Sequence, residues 1–160
     1  MKKLIFILMF AFGLVPAQTL IEDSEISENS EEFVRVAISY DINNPTEFYR
    51  LKCGSPVYAR FTGGEGAFKE NISKQMKGFL DTGLYTVNGT FELILYIGKN
   101  GSLQRFQLKP EVQNGHLLLR DLELALRNMN PTWTPATCNG VPVDSRIRQK
   151  VNFRTDSFDL

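Results

Sequence analysis

Residues 141–153 alternate between two kinds of side chain, and this pattern constrains the fold more than any other feature of the sequence. The odd positions are Val141, Val143, Ser145, Ile147, Gln149, Val151 and Phe153, and the even positions are Pro142, Asp144, Arg146, Arg148, Lys150 and Asn152, with Arg154 beyond them. Because successive side chains of a β-strand point to opposite faces, the pattern predicts one strand with a core face and a charged face. These thirteen residues would extend about 44 Å, which is unusually long.

Two amphipathic helices are predicted before this strand. Their apolar stripes are Phe68, Ile72, Met76 and Phe79 in the first helix and Leu118, Leu122, Ala125 and Met129 in the second, where Leu119 and Leu126 broaden the stripe. Both sets follow the helical period. Thr62 and Glu65 stand at capping-box spacing for the first helix. Asn114 is the expected N-cap of the second.

A hairpin is predicted between the two helices. Alternating apolar residues run from Phe91 to Ile97, residues 98–101 (Gly-Lys-Asn-Gly) form a tight turn, and residues 102–109 return. Leu103 is out of phase with its strand, which predicts a bulge. Further upstream, residues 34–42 alternate as a half-buried strand does, and residues 49–61 read as extended. Pro56 confines that second piece to a sheet edge or a loop.

These elements predict an α+β fold. We expect a small antiparallel sheet of about three strands, to which N-terminal strands can add, with two helices packed on one face. Apolar residues make up 42% of the chain and charged residues 22%, which is enough for one packed core.

The N-terminus is typical of an export signal. Lys2 and Lys3 precede an uncharged stretch that ends at Ala17, and we expect cleavage before Gln18 and periplasmic localisation. The alternative is an uncleaved membrane anchor, although 14 residues of helix (4–17) reach about 21 Å against about 30 Å of hydrocarbon. The expected layout is a signal peptide at 1–17, a disordered acidic leader at 18–32, an extension at 33–62, a domain at 63–154 and a tail at 155–160.

The two cysteines, Cys53 and Cys138, are expected to form a disulfide if the chain is exported. Two buried free thiols are the rival interpretation. Their spacing fits no zinc site, and the single histidine, His116, cannot complete one. No metal or other cofactor is predicted.

Neither nucleic-acid binding nor catalysis is indicated by the charged residues. Residues 33–160 hold sixteen bases against twelve acids, far short of a nucleic-acid footprint. Asp121 and Glu123 do not share a helix face, so they form no acid–base pair. An envelope enzyme or thiol-redox protein would need a reactive, unpaired cysteine, and there is no C-x-x-C motif. We therefore expect a binding protein and not an enzyme.

Residues 63–154 resemble the TonB C-terminal domain of Gram-negative bacteria. The helix–strand–strand–helix–strand order is shared, and so are several short motifs. The motif residues are Gly63, Gly64, Ala67 and Phe68; Gly89, Phe91 and Leu93; Ile97, Gly98, Gly101, Ser102 and Leu103; Trp133, Pro135, Ala136, Asn139, Gly140, Pro142 and Val143; and Val151 and Phe153.

The resemblance implies capture of an extended peptide, such as the TonB box of an outer-membrane receptor, added as a strand beside the last strand of the domain. The implied binding edge comprises Val143, Ser145, Arg146, Ile147, Arg148, Gln149, Lys150, Val151 and Phe153. Its basic residues either favour an acidic partner or keep an exposed edge soluble.

The chain also departs from that family. Members that transduce energy keep a membrane helix and a proline-rich spacer, whereas residues 18–44 contain no proline. The main hypothesis is therefore a soluble periplasmic binding module without a membrane span after cleavage. A membrane-anchored transducer is the alternative.

Overall fold

The computed structural model describes residues 35–80, 83–129 and 133–158. The predicted signal peptide (1–17) and acidic leader (18–32) lie outside the described residues. The strands are β1 (Arg35–Asp41), β2 (Glu47–Phe48), β3 (Pro56–Val57), β4 (Arg60–Phe61), β5 (Gly89–Ile97), β6 (Leu103–Lys109), β7 (Trp133–Thr134), β8 (Ala136–Cys138), β9 (Val141–Val143) and β10 (Ser145–Phe158), and the helices are α1 (Gly64–Phe79) and α2 (His116–Arg127). None of the helices in this part of the chain has the length and apolarity needed to cross a membrane.

The main sheet has five strands and is antiparallel throughout. Its order is β1–β10–β5–β6, and β2 also pairs with β10. One face of β5 and β10 supplies buried residues such as Leu95, Ile147 and Val151, and these pack in one core with buried residues of both helices, such as Ile72 and Leu122. The predicted α+β fold is confirmed.

The predicted single strand over 141–153 is divided at Asp144. Residues 141–143 form β9, which pairs with β8 in a separate three-stranded sheet of order β3–β8–β9. The Asp144 carboxylate accepts a hydrogen bond from the Lys99 backbone N–H at 2.9 Å. β10 then runs from Ser145 to Phe158, so residues 155–158 belong to the sheet and not to a tail.

Both helices carry the predicted buried stripe, but the predicted caps are wrong. The N-cap of α1 is Gly63, at a φ of 88°, and that of α2 is Gly115; neither helix has a side-chain cap hydrogen bond. The Glu65 carboxylate instead accepts a hydrogen bond from the Thr46 N–H at 2.9 Å and pairs with Lys69 at 2.8 Å. Tertiary contact with the N-terminal extension therefore replaces the local capping box.

Trp133 has a packing role, which accounts for part of the family-like motif. Its ring lies 5.2 Å from that of Phe61 and 5.0 Å from that of Phe68. Its backbone N–H donates to the Gly101 carbonyl at 3.3 Å. Gly101 has a φ of 80°, and a Cβ at this position would overlap the Trp133 carbonyl oxygen. The glycine is thus required by both backbone conformation and close approach.

The remaining predicted turns and irregularities are also present. Asn139 and Gly140 have φ of 50° and 83° at the turn from β8 to β9, and the β5–β6 register shifts next to Ile97, opposite Leu103. The expected extended piece at 49–61 is reduced to β3 and β4, and β3, with Pro56, lies at the edge of its sheet.

A disulfide joins Cys53 to Cys138, with a Cα–Cα distance of 5.8 Å. This confirms the predicted pairing over the free-thiol alternative. Pro56 pairs with Cys138 in the β3–β8 ladder, so the bond ties the N-terminal extension to the strand after Trp133.

Candidate functional site

The edge of β10 that was expected to be open is occupied by the chain itself. β1 pairs with residues 152–158 of β10, and β2 pairs with Ile147 and Arg148. The Tyr49 backbone N–H adds a hydrogen bond of 3.1 Å to the Arg146 carbonyl. The predicted peptide-binding edge is therefore wrong as a free surface. Val143, the first residue of the predicted edge, lies in β9. The others lie in β10, between β5 and the N-terminal strands: Ser145, Arg146, Ile147, Arg148, Gln149, Lys150, Val151 and Phe153.

Gln149 holds the link between β1 and β2 against β10. The residue has 0% relative exposure. Its side-chain amide donates to the carbonyls of Ile42 at 3.1 Å and Asn44 at 2.8 Å, and its oxygen accepts from the Thr46 hydroxyl at 2.8 Å. A buried amide requires such partners, so the presence of glutamine on the apolar face of the strand was a sequence signal for this packing.

The basic side chains of β10 mainly contact groups of the same chain. Arg148 forms ion pairs with Glu47 and, at 2.9 Å, with Glu92. The hydrogen bond from Arg148 holds the pKa of the Glu47 carboxyl below its ordinary value. Arg154 pairs with Asp156 at 2.8 Å. Arg148 thus links β10 to both β2 and β5, whereas Arg154 is paired within β10 itself.

The main sheet ends at β1 on one side and at β6 on the other. β6 pairs with β5, and no strand in the described part of the chain pairs with its outer side. Alternate N–H and C=O groups of a β-strand point to each side, so β6 presents a row of unpaired backbone donors and acceptors. β6 has seven residues, or about 24 Å of edge.

A groove runs between β6 and α2. One cavity of about 620 Å³ is bounded by residues 106–109 of β6 and by the first two turns of α2, from His116 to Glu123. A second cavity of about 240 Å³ is bounded by Leu103 at the start of β6 and by Leu126 and Arg127 at the end of α2. The helix therefore runs antiparallel to the strand, with open space beside both ends of β6.

The floor of the groove is apolar. Phe106 and Leu108 come from β6, Val112 follows β6, and Leu119 contributes from α2. Leu119 is 38% exposed although it is a large apolar residue. Apolar surface at an unpaired strand edge is typical of sites that accept another segment.

α2 forms one wall of the groove, and the charged residues of this helix wall are paired within the chain. Arg120 binds Asp121 through Nε and Nη2, both at 2.8 Å, and Glu123 pairs with Arg127 at 2.7 Å. Asp121 is buried and also accepts a hydrogen bond from the Tyr85 hydroxyl at 2.9 Å. The wall thus offers a surface of nearly balanced charge, suited to contact with uncharged side chains.

The groove carries no recognisable catalytic arrangement. His116 is exposed at the first position of α2. Within residues 35–80, 83–129 and 133–158, no group of three His, Cys, Asp or Glu side chains could hold a metal ion. Both cysteines of the chain are in the disulfide, so the thiol-redox alternative lacks the unpaired cysteine that it needs.

No family model, curated protein or solved structure matches the chain. The likeness to the TonB C-terminal domain therefore depends on the motif residues alone. The groove was not predicted from the sequence, because Leu119 fits the apolar stripe of the second helix and nothing in the return strand of the hairpin shows that its outer edge lacks a partner. The broad stripe on the second helix was the available signal.

Proposed function

We propose that this protein is an exported envelope binding module that captures an extended peptide segment by adding it as a strand to β6. The single observation that carries the proposal is the unpaired outer edge of β6 beside an apolar groove. Strand addition is also the mode of binding that the resemblance implies, but the edge is different, because β1 and β2 occupy the outer side of β10.

Strand addition would satisfy the backbone of β6. The main-chain hydrogen bonds of an added strand supply affinity that depends little on sequence, and the pockets for alternate side chains supply selectivity. Here every second side chain of the added segment would enter the groove between β6 and α2. Phe106, Leu108 and Leu119 would contact those side chains.

The dimensions suit a short segment. An edge of seven residues accommodates about six or seven residues of extended peptide. The larger cavity, about 620 Å³, lies within the usual range for pockets that take compact groups, which is about 300–1,000 Å³. The predicted export signal and the family-like motifs favour an envelope partner, such as a segment of an outer-membrane receptor.

A displayed library of random nine-residue peptides, selected against the purified oxidised protein, tests the proposal. We expect enriched sequences with apolar residues at alternate positions. Hydrogen exchange with one enriched synthetic peptide should then show new protection of amides in residues 103–109, because unpaired N–H groups of β6 become hydrogen bonded.

Two matched variants locate the site on α2. Leu119→Asp should weaken peptide binding by about tenfold or more, since it places a charge among apolar contacts. Leu124→Asp is the control: Leu124 is similarly exposed, at 43%, on the same helix, and it does not line the groove. Equal effects of the two substitutions, or no enrichment at all, would overturn the proposal.

Backbone methylation of the peptide tests strand addition directly. N-methyl groups at alternate positions remove donors from one side of an extended peptide only. We expect one alternating set to abolish binding and the other to leave it nearly unchanged. Equal tolerance of both sets would mean that the peptide does not pair with β6.

A further inference from the structure

We infer that the segment bound at β6 is amphipathic, with acidic residues at the alternate positions that do not enter the groove. This inference rests on the proposed function and names the class of its ligand. It depends on two cations of β6, Arg105 and Lys109, which lie on the face of the sheet opposite the helices.

The register places these two side chains on the helix-free face. Arg105 is opposite Tyr96 and Lys109 is opposite Glu92, whereas Leu108 is opposite the buried Leu93. Side chains opposite each other in a ladder share a face. The next strand added to β6 would therefore present alternate residues beside Arg105 and Lys109.

Arg105 is exposed and has a stacking partner but no anionic one. Its guanidinium lies 3.5 Å from the centre of the Tyr96 ring. In the described residues no carboxylate lies within ion-pair distance of it. Stacking engages the flat face of a guanidinium and leaves N–H groups at its margin. Those groups can bind a carboxylate from a strand on the other side.

Lys109 has no ion pair with its cross-strand neighbour Glu92, because Glu92 binds Arg148 instead. The Glu92 Oε1 atom lies 2.9 Å from Nη1 of Arg148. Within the described ranges no other carboxylate pairs with Lys109. Like Arg105, it is exposed at the edge of the sheet. Two uncompensated cations thus flank the docking edge on one face.

The other alternate side chains of the added strand would point into the groove between β6 and α2, where their surroundings differ. The groove has the apolar floor, and the charged side chains that α2 contributes to it are already paired, Arg120 with Asp121 and Glu123 with Arg127. Acidic side chains of a ligand would lose hydration there without a free cation to bind, whereas the other face offers Arg105 and Lys109, so the cost of burying charge fixes which face of the segment turns inward. Arg105 and Lys109 are four residues apart, about 13 Å along the strand. The matching acids should therefore also stand four residues apart.

The test compares three series of synthetic nine-residue peptides. All carry random apolar residues at one phase, and the other phase is glutamate, glutamine or lysine throughout. Opposite-charge cross-strand pairs contribute modestly, so we expect the glutamate series to bind about three- to tenfold more tightly than the glutamine series at low salt. The lysine series should bind most weakly, and the differences should shrink at about 0.5 M salt.

Charge variants assign the preference to β6. The double variant Arg105→Glu with Lys109→Glu should reverse the order, so that the lysine series binds best. Arg146→Glu is the control: its guanidinium also lies near the Tyr96 ring, at 5.9 Å, but β10 is two strands further from the added segment, or about 10 Å. That variant should keep the preference for glutamate.

The outcomes separate the inference from the proposed function. Equal binding of the glutamate and glutamine series would overturn the acidic ligand class while leaving strand addition at β6 intact. Binding by none of the three series would overturn both. A preference for glutamate that survives in the β6 double variant but is lost in Arg146→Glu would place the acidic contact on β10, and the inference would fail.

Discussion

The side-chain amide of Gln149 donates a hydrogen bond of 2.8 Å to the backbone carbonyl of Asn44. This bond, with those to Ile42 and Thr46, holds the chain between β1 and β2 against the central strand. It explains how a short N-terminal extension keeps the edge of β10 covered although β2 contributes only two residues of ladder.

Gln149→Ala should loosen this extension. The substitution leaves buried carbonyls without donors, which costs about 1–3 kcal/mol of unfolding free energy. Denaturant unfolding measures the loss, and hydrogen exchange should show reduced protection in residues 37–48. Gln107→Ala, on the partly exposed face of β6, is the control and should cost less. Unchanged protection of residues 37–48 would contradict the assigned role of Gln149.

Removing the disulfide should destabilise the protein. Cys53 and Cys138 are separated by 85 residues, and a cross-link of that span stabilises by about 4.5 kcal/mol in the chain-entropy model. The double variant Cys53→Ser with Cys138→Ser should unfold at lower denaturant concentration by a corresponding amount. Thiol titration of the denatured, unreduced wild type should find no free thiol; two free thiols would show that the bond does not form.

The ion pair of Glu47 with Arg148 predicts a pH dependence of stability. The pKa of Glu47 is lowered in the folded protein from an ordinary value of about 4.5, so the folded state binds fewer protons than the unfolded state in that range. The stabilisation is therefore complete above about pH 4.5 and is lost as the pH falls through the lowered pKa.

Glu47→Gln should be less stable than the wild type at pH 7, and the two should converge in acid. Glu70→Gln, at an exposed helix position, is the control for loss of one surface carboxylate and should change stability at pH 7 less than Glu47→Gln does; a gap for Glu47→Gln that persists in acid would contradict the assignment.

Two glycine substitutions should have opposite signs. Gly101→Ala forces a Cβ into the Trp133 carbonyl at a positive φ and should destabilise by about 2 kcal/mol or more. Gly78→Ala lies in α1 with no atom near the added Cβ and should stabilise by about 0.5–1 kcal/mol. Thermal unfolding of both variants measures this; stabilisation by Gly101→Ala would contradict the close approach of Gly101 to the Trp133 carbonyl.

The alternation along 141–153 identified the core face of the last strand, but the division at Asp144 was not visible. Val141 and Val143 fit the alternating pattern equally well in β9 or in a continuous strand, because a period of two is independent of the partner strand. Only the ladder between Ala136 and Val143 shows that these residues belong to another sheet. The predicted caps were wrong for a similar reason: Glu65 matched a local motif, and the more distant Thr46 N–H took its carboxylate.

The sequence by itself determined the α+β class, the buried stripes of both helices, the hairpin and the apolar phase of the last strand, because these follow from local periodicity and turn chemistry. The tertiary structure decided which strand edge is covered. The alternation along residues 34–42 predicts a strand but does not identify its partner. Pairing between β-strands joins residues more than a hundred positions apart, such as Tyr40 and Phe153. Backbone donors and acceptors are the same in every strand, so only the packing of the whole chain selects the edge that β1 and β2 fill and leaves the outer edge of β6 without a partner in the described residues.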